Sequence, residues 1–295
     1  MTKATRNRQQ AARERIAAQQ AAARRAEIRN RMFIVGGSIV AVLVVLVAFI
    51  IIKLNSSSSP ATPAGATGPT GTLLPAAVMK DVTSVPASTL NAVGAGSVPS
   101  AVHTPVSTLS GPLLTQNGKP EVLYIGAEFC PFCAAMRWSM AVALSRFGTL
   151  SPLHGIHSAP APETDPSTAT LTFYKSGYSS KYLAFTPVEN EKVDHSALQN
   201  TTPQQQQIWN KYDANSFPFI DIGNKYMIKI IYDPQVLQGK TWSQIAAALH
   251  DPSSPIAKGV DGAANYMTAA ICKVTNNKPA GVCTSSAITS LASKL

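Results

Sequence analysis

Glu121-Val122-Leu123-Tyr124-Ile125-Gly126-Ala127-Glu128-Phe129-Cys130-Pro131-Phe132-Cys133-Ala134-Ala135 is the stretch on which the reading of this chain turns. Its apolar first part has the composition of a β-strand, and its Ala-rich continuation that of a helix. The first cysteine, Cys130, falls where that helix begins, at its N-terminus. Unpaired backbone N–H groups and the positive end of the macrodipole favour thiolate over thiol there. Cys133 lies one helical turn on, near enough to close a disulfide with Cys130. A strand running into C-x-x-C at a helix start therefore points to thiol chemistry.

Outward from this stretch the 295-residue chain divides by composition. Residues 1–31 carry nine Lys or Arg against Glu14 and Glu27, and so hold most of the net charge of +10. From Met32 to Ile52 there are 21 residues without a charge, rich in Val, Ile, Leu and Phe. At about 1.5 Å per residue that is helix enough to cross a bilayer core. The positive-inside rule then sets the leader in the cytoplasm and everything after Lys53 outside, the topology of a single-pass signal-anchor protein of the cell membrane. A cleaved signal peptide, with Ala64-Gly65-Ala66 as its processing site, is the competing reading. Both export the cysteines. The leader is free of aromatic residues that would stack on bases, so it reads as a topology signal with affinity for anionic headgroups, and no nucleic-acid partner is expected.

Residues 53–77, rich in Ser, Pro, Gly and Thr, read as a flexible linker, and residues 78–295 as the extracytoplasmic domain. Within it the pattern gives a short helix stopped at Gly94, a strand at 121–125, and the C-x-x-C helix running to about Phe147. Strands are expected around 153–157, 169–174 and 182–188, and a helix over 203–212. Two β-rich runs flank Gly223-Asn224, a hairpin signal. Helices at 242–249, 256–274 and 285–295 complete an α/β order.

With Cys130-Pro131-Phe132-Cys133 followed by Phe217-Pro218-Phe219 ahead of a hairpin, the chain resembles the thioredoxin superfamily. The resemblance implies an α/β thioredoxin-like fold with a long insertion between the active-site helix and the cis-proline hairpin, preceded by one transmembrane helix. It implies catalytic roles for Cys130, Cys133 and Pro218, with Pro218 as the cis-proline set against the dithiol. Phe217 and Phe132 would meet the substrate. The strings Glu121–Ala135, Phe217–Tyr226 and Ala263–Cys272 also look like an uncharacterised prokaryotic family of membrane-anchored, thioredoxin-like proteins classed as a domain of unknown function, over roughly residues 78 to 283. Thioredoxins and periplasmic thiol oxidases usually carry a buried acid on the strand six residues before the first cysteine. Here that position is Tyr124, which leaves Glu128 as the candidate proton shuttle.

The expected activity is membrane-tethered thiol–disulfide exchange on extracytoplasmic proteins that carry thiols or disulfides, with no cofactor and with a membrane electron-transfer protein as a candidate partner. The alternative is an inactive thioredoxin-like binding module with structural disulfides. Metal ligation by the thiols is the third reading, and no metal site is assigned, because one C-x-x-C and one pair ten residues apart lack the two matched knuckles usual for zinc. Cys272 and Cys283 span a turn-rich loop and read as a structural disulfide worth about 2 to 3 kcal/mol. Phe129, Phe132 and Phe219 fit either an apolar rim at the dithiol or core. Asp221 and Glu128 either bear on the thiols or are solvated. Trp138, Met140, Trp209 and Trp242 read as core, and the scattered histidines receive no role.

Overall fold

The computed structural model describes residues 70–97, 105–229 and 232–295. In chain order these begin with β1 (Thr72–Leu73), α1 (Ala76–Thr83), α2 (Ala87–Val93), β2 (Val106–Thr108), β3 (Thr115–Gln116), β4 (Lys119–Gly126) and α3 (Pro131–Ser145). There follow β5 (Gly148–Ser151), β6 (His154–His157), β7 (Ala169–Thr172), β8 (Gly177–Ser180), β9 (Ala184–Glu189) and α4 (Pro203–Asp213). Then come β10 (Phe219–Ile222), β11 (Tyr226–Ile228), α5 (Trp242–Ala248), α6 (Pro255–Val274), α7 (Ala280–Cys283) and α8 (Ser286–Ala292). The class is mixed α/β.

β4 is the central strand. It pairs parallel with β9, Ile125 facing Val188, and antiparallel with β10, Ile125 facing Phe219; β11 and then β2 extend the sheet beyond β10. Its apolar run is unbroken because both of its faces are covered. Val122 and Tyr124 enter the larger core, with Trp138 and Met140 of α3 and Val260 and Met267 of α6. Leu123 and Ile125 enter a smaller one, with Trp209 of α4 and Phe219 of β10. Each such Leu or Ile contributes about 1.5 to 3 kcal/mol by leaving water.

α3 has no solvent stripe. Of Pro131 to Leu144 only Phe132 escapes burial, because α6, β7, β5 and α1 pack around the helix. Small residues of α6, among them Ala263, Ala264, Ala269 and Ala270, lie wholly inside and let it sit close to its neighbours. Cys272, at the end of α6, is joined to Cys283 of α7, which is the expected structural disulfide.

The Gly223-Asn224 hairpin forms as expected, both residues having positive φ (67° and 55°), where glycine and asparagine are the favoured types. α4 starts with a capping box, Thr202 with Gln205, and with proline at its first position. The long segment between α3 and β10 is partly integral: it supplies β9 to the central sheet and adds the pairs β5–β8 and β6–β7 beside it.

The linker expected over 53–77 is described only from residue 70, and that end already belongs to the fold. Thr72 and Leu73 pair with Gly155 and His154 of β6, and α1 begins at Ala76 with Val78 and Val82 buried one turn apart. The leader (1–31) and the candidate transmembrane stretch (32–52) lie outside the described residues. Among the described residues, no helix is long and apolar enough to cross a membrane.

Candidate active site

β4 ends at Gly126 and a four-residue bend delivers Cys130 to the N-cap of α3. The Cys130 backbone is extended there (φ −73°, ψ 121°), Pro131 takes the first helical position, and the Cys130 Sγ accepts a hydrogen bond from the Cys133 N–H at 3.2 Å. The thiol thus does what a serine or aspartate does at other helix starts. The antiparallel register of β10 on β4 carries the residues just before Phe219 past the end of β4. The Phe217-Pro218 peptide is cis, and Phe217 packs on the cluster of Ala127, Cys130 and Cys133 together with Phe129 and Phe132. Cys130, Cys133, Phe132 and Phe217 are therefore brought together, with Pro218 following Phe217 through the cis bond. Cys130 keeps 5 % exposure and Cys133 none; neither is disulfide-bonded.

The two sulfurs are electrostatically unlike. The hydrogen bond with Cys133 draws the Cys130 thiol below its ordinary range against the effect of burial, helped by the Cys133 and Phe132 N–H groups and the charge of Arg137. Burial, and then the neighbouring Cys130, push the Cys133 thiol well up. The outer sulfur is suited to attack as thiolate and the inner one to wait as thiol.

Behind the dithiol lies an ion pair that the sequence reading did not find. Arg137 and Glu189, 52 residues apart and wholly buried, meet through Nε to Oε1 at 2.9 Å and Nη2 to Oε2 at 2.6 Å. Nη2 also donates to the Ala127 carbonyl at 2.8 Å, and Glu189 accepts from the Phe173 N–H at 3.1 Å. Burial works against the guanidinium, but Glu189 holds its pKa well above the ordinary value. The guanidinium lies 5.9 Å from the Tyr124 ring centre, and burial raises the Tyr124 phenol well above its usual range. Two polar atoms here, Arg137 Nη1 and Tyr124 Oη, have no hydrogen-bond partner among the described residues. The sequence did carry a signal: Arg137 is the lone charge in an otherwise apolar or small-residue helix.

Glu128 turns elsewhere. Its carboxylate accepts from the hydroxyls of Thr70 and of Thr172, the latter at 2.7 Å, and burial raises its pKa. Among the described residues no hydrogen bond joins it to either sulfur. It lines a groove of about 1200 Å³ whose walls include Trp242, Pro160, Pro162 and His195. Phe129 lies between groove and dithiol: its ring centre is 4.0 Å from that of His195, and it packs on the cluster of Ala127, Cys130 and Cys133 and meets the Phe217 ring edge-on.

Phe219 is core, wholly buried with Leu123 and Ile125, and the third aromatic of the rim is Phe217 instead. Asp221 is buried in the hairpin, where Oδ1 accepts the Asn224 N–H. Trp138, Met140 and Trp209 are core; Trp242 is half-buried against it. A zinc site with all four thiols is not formed, because Cys272 and Cys283 are bonded to each other.

The family model described as Domain of unknown function (DUF929) matches residues 106–273, more than half of the chain, which therefore belongs to that family. No curated protein and no solved structure matches it.

Proposed function

We propose that this member of the DUF929 family is a membrane-tethered thiol–disulfide oxidoreductase of thioredoxin-like fold, acting on extracytoplasmic proteins through Cys130 and Cys133. The observation that carries the reading is the Cys130 sulfur at the N-cap of α3, hydrogen-bonded to the Cys133 N–H with the Phe217-Pro218 bend packed beside it. Support for the thioredoxin-like fold comes from the central strand leading into that helix and from the antiparallel hairpin that follows Pro218. Support for the anchor comes from the uncharged stretch 32–52 behind a basic leader.

In the cycle, the Cys130 thiolate attacks one sulfur of a substrate disulfide, forming a mixed disulfide and releasing the other sulfur as a thiolate that takes up a proton. Cys133 then displaces the substrate from Cys130, closing the Cys130–Cys133 disulfide. The reverse sequence oxidises a substrate dithiol, and the reduction potential of the couple sets the direction. The purified full chain in detergent is expected to reduce insulin disulfides or to oxidise a peptide dithiol, and to lose that activity on Cys130→Ala with its fold intact. Exchange no faster than that of free dithiothreitol would overturn the proposal.

The near-complete burial of both cysteines favours one second reading, a binding module with Cys130 and Cys133 held oxidised. It requires that thiol reagents label the native protein only after denaturation and reduction.

A further inference from the structure

Closing the Cys130–Cys133 disulfide requires negative charge to develop on Cys133, a sulfur with no solvent contact. The strand position where the resemblance leads one to expect an acid is Tyr124, and Glu128 is engaged by Thr70 and Thr172. Another group has to make that charge tolerable.

Three observations converge on one. Arg137 follows Cys133 by four residues in α3, so the two side chains share a helix face. Its guanidinium cannot slide along the core, being pinned by the two bonds to Glu189 and by the Ala127 carbonyl, and Ala127 itself packs on both cysteines. The remaining nitrogen, Nη1, is a buried donor with no partner among the described residues, and so is the hydroxyl of Tyr124, whose ring centre lies 5.9 Å from the guanidinium. A Cβ added at Gly126 would overlap that hydroxyl, so the phenol reaches along β4 toward the end that leads to Cys130. Buried polar groups left unpaired in a resting protein are costly unless some state of the cycle supplies their partner. The one anion that the exchange creates inside this wall is the sulfur of Cys133.

We infer that Arg137, held by Glu189, and Tyr124 are positioning residues that stabilise the developing thiolate of Cys133 during resolution of the mixed disulfide. This deepens the proposed function and rests on it. The step balances without an outside reagent: the Cys133 S–H gives up its proton, the Cys133–Cys130 bond forms, the bond from Cys130 to the substrate sulfur breaks, and the departing thiolate takes the proton. Arg137 and Tyr124 keep their own protons and act as preorganised donors. The direction in which Arg137 moves both thiols, toward ionisation, agrees with that role.

Reduced full-length protein mixed with the aromatic disulfide 5,5′-dithiobis(2-nitrobenzoate) separates the two steps. Attack by Cys130 releases one coloured thiolate, and resolution by Cys133 releases the second. Tyr124→Phe and Arg137→Lys are expected to leave the first release within about twofold and to slow the second by about tenfold or more, with its pH profile displaced upward. Cys133→Ser removes the second release and marks that phase. Thermal melts establish that the variants fold; a hydroxyl with a purely structural place leaves both rates unchanged in Tyr124→Phe. Folded Tyr124→Phe and Arg137→Lys proteins with an unaltered second phase overturn the inference while leaving the proposed exchange standing. A folded wild type that releases no thiolate at all instead overturns the exchange reaction itself.

Discussion

Asp261→Asn should make the protein more stable, and more so the higher the pH. Asp261 lies on α6 without any exposure, and neither of its carboxylate oxygens has a hydrogen-bond partner among the described residues. Burial pushes its pKa up to about 8, even though the charge of Arg146 opposes the shift. Arg146 is itself drawn down to about 10, chiefly by burial. An unfolded aspartate ionises near pH 4, at about 3.9. Between about pH 4 and 8 the folded chain therefore holds a proton that the unfolded chain has released. The stabilisation due to the neutral carboxyl is complete below about pH 4 and is lost as pH rises through 8, at about 1.4 kcal/mol per unit. By pH 7 the loss is on the order of 4 kcal/mol.

An amide has nearly the same shape and no charge to lose, so the variant should match the wild type within about 1 kcal/mol at pH 4 and exceed it by about 4 kcal/mol at pH 7. Urea unfolding of both proteins at four pH values between 4 and 8 reads this from the midpoints, with equal slopes showing that the same surface unfolds. Asp221, pushed by burial up to about 7, adds a similar decline to both proteins and cancels in their difference. A difference that does not grow with pH would refute the argument and put an ionised carboxylate in the interior.

Replacing Cys272 and Cys283 together by serine releases a loop of sequence separation 11 and should cost about 3 kcal/mol, roughly 6 to 12 °C in melting temperature; an unchanged melt would mean that the bridge constrains nothing. Gly126→Ala sets a methyl into the buried Tyr124 ring and should cost about 1 to 3 kcal/mol by denaturant titration, whereas a neutral result would mean that the phenol can move aside. Alkylation of Cys130 in a Cys133→Ala protein tests how far the lowered pKa depends on its partner: the half-maximal rate should fall at a lower pH in the wild type than in the variant, because the hydrogen bond with Cys133 is the leading cause of the shift. Coincident profiles would assign the effect to the helix terminus and Arg137 alone.

What could be seen in the sequence was whatever depends on neighbours along the chain. The apolar run before Cys130, the Ala-rich stretch after it and the Gly223-Asn224 turn are local signals, and each lies where its local chemistry requires. The ion pair behind the dithiol was hidden because its halves come from α3 and the end of β9, two strangers in sequence that parallel pairing of β9 with β4 makes neighbours. Thr72-Leu73 was read as linker because a two-residue strand with exposed side chains has no periodicity to show. Glu128 stands two residues from Cys130, yet the bend between β4 and α3 sends its carboxylate to the threonines instead. Phe217 and Phe219 look alike on paper. Register separates them, since Phe219 faces Ile125 within the sheet while Phe217 precedes it at the strand's open end.

The packing around α3 leaves the Cys130 sulfur mounted on an anvil. A helix whose flanks are gripped by a sheet and a second helix is poorly placed to tilt or shift toward the substrate of the proposed exchange, so the give would come from the half-buried aromatic rings around Cys130 and from the substrate. In the proposed exchange a rigid host would select pliant guests: a loose or partly unfolded chain can bend its own sulfur into line, and a well-packed one cannot.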